Sequence, residues 1–151
     1  MQKSNLKHYV HLHLIVFIWG FTAILGKLIS IDAIPLVWFR MLLASLFIAV
    51  YFLIKNNSFS LDKKSLFKFF LSGILIALHW ITFFKAIKVS NVSVALVTMS
   101  TGAFFTSFIE PFFYKRKIKA IEIILGLVVI GGLYIIFSFE SQYTLGIVYA
   151  L

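Results

Sequence analysis

The 151-residue chain is 62% hydrophobic and only 13% charged, with a mean hydropathy of +1.03. Soluble domains are roughly 45–50% apolar and ~25% charged, so both a water-soluble globule of this size and a disordered chain are excluded. Lipid is the remaining solvent, and the chain reads as an all-α polytopic membrane protein. The formal charge of +9 comes from 14 Lys and Arg against five acids. These cations fall in short segments between apolar runs and form no continuous basic surface, so nucleic acid is not an expected partner and anionic lipid headgroups are. The absence of cysteine rules out disulfides, thiolate metal sites and a thiol nucleophile.

A helix needs ~20 apolar residues to cross the ~30 Å hydrocarbon core. Residues 1–8 form a short N-terminal segment, and five runs then qualify: 9–29, 34–54, 66–87, 92–114 and 120–139. They read as helices because stretches such as 89–109 carry no charge and show no alternation of polar and apolar residues. Short connections predict antiparallel neighbours. Lys3, Lys7, Lys55, Lys63, Lys64, Lys68, Lys115, Arg116, Lys117 and Lys119 fall on one side of this arrangement, and only Lys27, Lys85 and Lys88 on the other. Lys and Arg concentrate in cytoplasmic loops, which predicts a cytoplasmic N-terminus and an external end after the fifth helix.

The first run is too long for a secretory signal and lacks a cleavage site. Asn56-Asn57-Ser58 and Asn91-Val92-Ser93 match the glycosylation pattern, one on the inner side and one against the membrane, and neither is expected to be used. After the polar break Glu140-Ser141-Gln142, the apolar residues 143–151 begin what looks like a sixth helix. A helix stopping at membrane depth leaves carbonyls unsatisfied, so the expectation is a fragment of a longer protein.

Trp19-Gly20, Lys27, Pro35, Arg40, the run Phe84-Lys85-Ala86-Ile87-Lys88, residues 93–101, and Gly126 with Gly131-Gly132 occur in an order and spacing that resembles the EamA-type half of the drug/metabolite transporter superfamily. The resemblance covers residues 10–139, and Gly146 falls where a second repeat would begin. Two departures stand out. Ser100-Thr101-Gly102 replaces the mid-helix proline of many members, and Lys115-Arg116-Lys117 replaces the acid after it, while Glu110-Pro111 lies late in the fourth helix. The resemblance implies half of a ten-helix inverted-repeat carrier in the plasma (inner) membrane of a bacterium. Such a carrier binds its substrate near the midplane between the halves, and the family suggests export of amino acids or related compounds.

Ionisable residues inside spans are costly and mark function or a specific partner. Arg40 lies about 9 Å along its helix from Ile34. It is either an anchor whose guanidinium snorkels outward or a counter-charge for an anionic substrate. Glu110, the acid well inside a span, is a candidate for proton coupling, with an ion pair to the adjacent cations as the alternative. His79 must find a partner or face a wet cavity, and Trp80 beside it offers a ring face to a cation or an aromatic. Trp19 is a candidate cavity residue, and Gly20 a close-approach position. Ser93, Ser100 and Ser107, spaced by sevens and joined by Thr101, mark one face of the fourth helix for close packing or for the substrate path. His8, His11 and His13 sit at the interface without carboxylate or thiolate help, and no metal or cofactor is expected.

His-Glu-x-x-His and Gly-x-Ser-x-Gly motifs are missing from the sequence, and no enzyme is expected. Two alternatives to the half-carrier remain: a five-helix chain that transports as a homodimer, and a non-transporting scaffold subunit.

Overall fold

The computed structural model describes residues 6–55, 62–117, 119–139 and 141–151. Lys3, the Asn56-Asn57-Ser58 pattern and Glu140 lie outside the described residues. The described chain is helical: α1 (Leu6–Leu28), α2 (Ala33–Ile54), α3 (Lys63–Val89), α4 (Val92–Met99), α5 (Thr101–Tyr114), α6 (Ala120–Phe139), a single 3₁₀ turn at Ser141–Tyr143, and α7 (Thr144–Ala150). Five stretches are long and apolar enough to cross a membrane, α4 and α5 together forming one of them, Val92–Tyr114. The protein is an all-α polytopic membrane protein.

The turns are set by polar side chains at the helix ends. Asp62 begins α3 by accepting from the Ser65 N–H at 3.1 Å, and Asn91 begins α4 by accepting from the Val94 N–H at 2.8 Å. Each satisfies one of the N–H groups that a first turn leaves unpaired. The side chain of the second glycosylation-like asparagine is therefore occupied as a helix cap. At the other terminus of α3 the Ser90 hydroxyl donates to the Ala86 carbonyl at 2.6 Å.

The expected single fourth helix is interrupted at Ser100. The Ser100 hydroxyl donates to Val97 O and the Thr101 hydroxyl to Thr98 O, both at 2.6 Å. Ser and Thr that bond back to the preceding turn bend a helix, and two in succession separate α4 from α5. Pro111, the more obvious breaker, sits inside α5 without ending it. The chain leaves α5 at Lys115, whose φ of 51° is the left-handed turn that terminates many helices.

Most of the buried residues gather at one end of the bundle. Ala23 and Gly26 of α1, Leu36 and Val37 of α2, Phe84 and Ile87 of α3, Ala95 of α4 and Ile147 of α7 meet there. This closed end carries the α1–α2 and α3–α4 turns. Away from it the same helices separate, and α1 is exposed along its whole length before Thr22.

The short link between α1 and α2 does not make them close neighbours. α1 packs instead on α3 and α4, while α2 packs on α3. Gly26 explains the first contact: a Cβ there would run into the Phe84 ring, so glycine admits that ring against the α1 backbone. Gly126 does the same for Phe104 between α6 and α5, and Gly146 for Ser90 between α7 and α3.

Gly20, expected as a close-approach position, has nothing within 4 Å of an added Cβ, and neither does Gly73. The inward face of α4 and of the break after it is Val94, Ala95, Thr98 and Thr101. Ser93 and Ser100 are exposed and Ser107 is half-buried, so the serine stripe is not the packing face within this chain.

Candidate functional site

Because α1 and α2 diverge, a groove of about 550 Å³ opens between them, with Phe84 of α3 among its lining residues. Its walls are apolar apart from Thr22 and Arg40. The Arg40 guanidinium lies over the Trp80 ring at 4.0 Å from the centroid and within 5.7 Å of the Phe84 centroid. Trp80 and Phe84 are themselves stacked, at 5.7 Å and 25°. A cation over an indole face is held by the ring quadrupole, which fixes Arg40 against α3 beside the buried cluster of the closed end, on which Trp80 itself packs.

A second groove of about 370 Å³ lies between α1, α3 and α4, where Trp19, Gly20, His79, Trp80 and Met99 line it. The His79 imidazole stacks on Phe83 at 6.4 Å and packs against Trp80 at 5.6 Å. Trp19 is 64% exposed and turns its bulk outward. Arg40 lines the first groove and Trp80 the second, so their contact joins the two. Four of the expected site residues, Trp19, Arg40, His79 and Trp80, are thus assembled around α1–α3.

The remaining candidates stand apart, on α4, the break and α5. The Ser107 hydroxyl is taken by Phe104 O at 2.7 Å, as those of Ser100 and Thr101 are by their own turns. The Thr98 hydroxyl is buried among these without a hydrogen-bond partner.

Glu110 makes an ion pair with Arg116 at 3.2 Å, and Arg116 reaches Glu122 of α6 at 3.0 Å. The ion-pair alternative is therefore present in the structure. The Glu122 carboxylate first, and Glu110 second, hold the Arg116 guanidinium even more firmly protonated than an ordinary arginine. Glu110 also borders a third groove with Thr106 and Tyr114.

The family model described as the EamA-like transporter family matches residues 7–138. The chain belongs to that family. No curated protein matches the chain, and no solved structure does. EamA-like proteins are membrane transporters, which accords with a chain that turns most of its apolar surface outward.

Several residues that shape this EamA-like chain are not singled out as sites by its sequence. Lys27 donates to Ile87 O at 2.9 Å and Ser90 O at 2.8 Å, capping the last carbonyls of α3. Lys88 donates in return to Ile29 O at the end of α1. Cations suit helix C-termini because the unpaired carbonyls there carry the negative end of the helix dipole. Both lysines sit in the short motifs that carry the resemblance, but their partners are 59–63 residues away in sequence. Phe84 escaped for the same reason, its contacts with Gly26 and Arg40 being distant in sequence. Among the described residues no group of three His, Asp or Glu is placed to hold a metal ion. The His13 ring donates instead to Tyr9 O at 2.8 Å.

Proposed function

We propose that the chain is one half of a carrier that exports small metabolites, amino acids or related compounds, by alternating access. The other half is a second EamA repeat or a second copy of the chain. One observation carries this reading beyond family membership. A cation inside a membrane span, Arg40, faces an open groove and is held on an aromatic wall rather than released to the interface.

The orientation proposed is a cytoplasmic N-terminus in the plasma (inner) membrane of a bacterium. The three cations at the closed end support it, because each is engaged within the fold. Lys27 and Lys88 cap helices, and Lys85 lies 5.3 Å from the Tyr149 ring centroid. The cations that set topology by charge alone then belong to the splayed end, which is cytoplasmic.

Trp19, Arg40, His79 and Trp80 line the path in this reading. Ser93, Ser100, Thr101 and Ser107 are its candidates on the opposite helix pair, and Glu110 is the candidate coupling group. Flux in proteoliposomes tests the proposal, using a panel of labelled amino acids and their derivatives. The expected result is saturable flux that falls at least tenfold in His79→Ala or Arg40→Ala with membrane insertion unchanged. Glu110→Gln is expected to flatten its pH profile. No flux with any compound favours the scaffold alternative, and loss of insertion in the alanine variants assigns those residues to structure.

A further inference from the structure

Three cations at helix junctions have partners with oxygen atoms. Lys27 and Lys88 take carbonyls, and Arg116 takes two carboxylates. Among the described residues no carboxylate, carbonyl or hydroxyl accepts from the Arg40 guanidinium, which lies over the faces of Trp80 and Phe84. A guanidinium has five N–H donors lying in its plane. A ring beneath it answers part of the charge but accepts none of those bonds. The covered face leaves the edges, which are the geometry that binds a carboxylate or phosphate through two parallel hydrogen bonds.

Snorkelling does not resolve the mismatch. Trp80 stands more than two turns back from the end of α3 at Val89, so the guanidinium folded onto it stays within the span. The space in front of it is the groove between α1 and α2, whose walls are chiefly aliphatic and aromatic. No Asp or Glu lines that groove or the one beside it. An ammonium entering either would lose its water without gaining a carboxylate, which is costly in an apolar setting.

We propose that this groove binds an oxyanion attached to an apolar body, with the anion on Arg40 and the hydrocarbon along Leu25, Ile29, Leu36, Phe39 and Leu43. This deepens the carrier reading and rests on it for the claim that the ligand is cargo. It narrows the class from amino acids to their deaminated relatives, monoanionic carboxylic acids, in preference to zwitterions. The same chemistry is available from an anionic lipid, whose phosphate carries acyl chains, and the test separates the two sources.

Equilibrium binding to the purified full chain in phosphatidylcholine nanodiscs uses three probes of one skeleton: 3-phenylpropanoate, 3-phenylpropanol and phenylalanine. The acid is expected to bind at least tenfold more tightly than the alcohol or the amino acid. Arg40→Gln is expected to remove that preference and Arg40→Lys to retain part of it, with helicity equal in all three proteins. Equal binding of acid and alcohol, or an unchanged preference in Arg40→Gln, overturns the proposal.

Adding phosphatidylglycerol to the nanodiscs assigns the source. Loss of acid binding with Arg40-dependent retention of that lipid identifies a headgroup phosphate as the occupant, and undiminished acid binding identifies soluble cargo. Flux measured in parallel keeps the two readings distinct. Acid binding without flux sinks the carrier and leaves the site. Flux of an amino acid that Arg40→Gln does not alter sinks the site and leaves the carrier.

Discussion

Gly20 and Gly26 stand on the same helix and meet opposite surroundings. A side chain at Gly26 collides with the Phe84 ring, whereas one at Gly20 meets nothing within 4 Å. The contrast extends to the whole bundle. At the closed end, small residues, capped helix termini and α7 bring the elements into contact. At the splayed end, large apolar residues face outward, Phe47, Leu53 and Phe67 among them. All five spans are strongly apolar, with mean hydropathies of 1.7 to 2.5, so hydropathy alone does not reveal the difference. What distinguishes them is the shape of the residues and the presence of hydrogen-bonded ends.

The largest expected effect tests that difference directly. Gly26→Leu must displace Phe84 from the α1 backbone and, through it, disturb the stack with Trp80 on which Arg40 rests. Forcing extra volume into a packed region costs about 1–3 kcal/mol, and the low end is not expected where an aromatic ring must leave. Gly20→Leu adds the same atoms to open space and is expected to stay within about 0.5 kcal/mol. Thermal unfolding of both variants in the same detergent measures the gap. Equal losses would break the comparison, and would place a neighbour against Gly20 that this chain does not supply.

The sequence announced much of the fold and little of this asymmetry. Spans were legible because a bilayer imposes a length and a polarity that any window of residues reveals. The break at Ser100 was not, since it depends on hydroxyls bonding back to Val97 and Thr98 while mean hydropathy stays high. Arg40 drew attention because a charge in lipid demands a partner. That its partner is Trp80 required knowing that α2 and α3 pack together. Sequence singles out Gly20 and is silent on Gly26, and the two differ in what another element, α3, brings to each. The serine stripe had the right spacing for a face, but spacing does not say which way that face turns.

The next effect in size concerns the junction of α1 with α3. Lys27→Met and Lys88→Met keep most of the side-chain length while removing the donors to Ile87 O, Ser90 O and Ile29 O. A hydrogen bond from a charged group contributes roughly 1.5–3 kcal/mol where water is excluded. Lys27 is exposed and Lys88 half-buried, so about 1 kcal/mol each is expected after screening. The two caps tie the same pair of helices together, and the double variant is expected to cost less than the sum of the singles. Strict additivity would mean that the lysines cap two independent ends, and the closed end would then owe its contacts to apolar packing alone.

The smallest effect belongs to the other side of the molecule, where Arg116 links Glu110 of α5 to Glu122 of α6. Its side chain is 29% exposed and those of the glutamates 42% and 23%, so water and salt reach all three. Arg116→Gln is therefore expected to leave global unfolding nearly unchanged, yet to speed amide hydrogen exchange in the last turn of α5 and the first of α6. In the unaltered chain, raising the salt concentration to about 1 M shortens the screening length to roughly 3 Å and should produce most of the same local loosening. Were Arg116→Gln instead as damaging as Gly26→Leu, the α5–α6 pair would hang on its ions. The Phe104 ring seated at Gly126 would then contribute little to holding it, against what the close approach of those two helices implies.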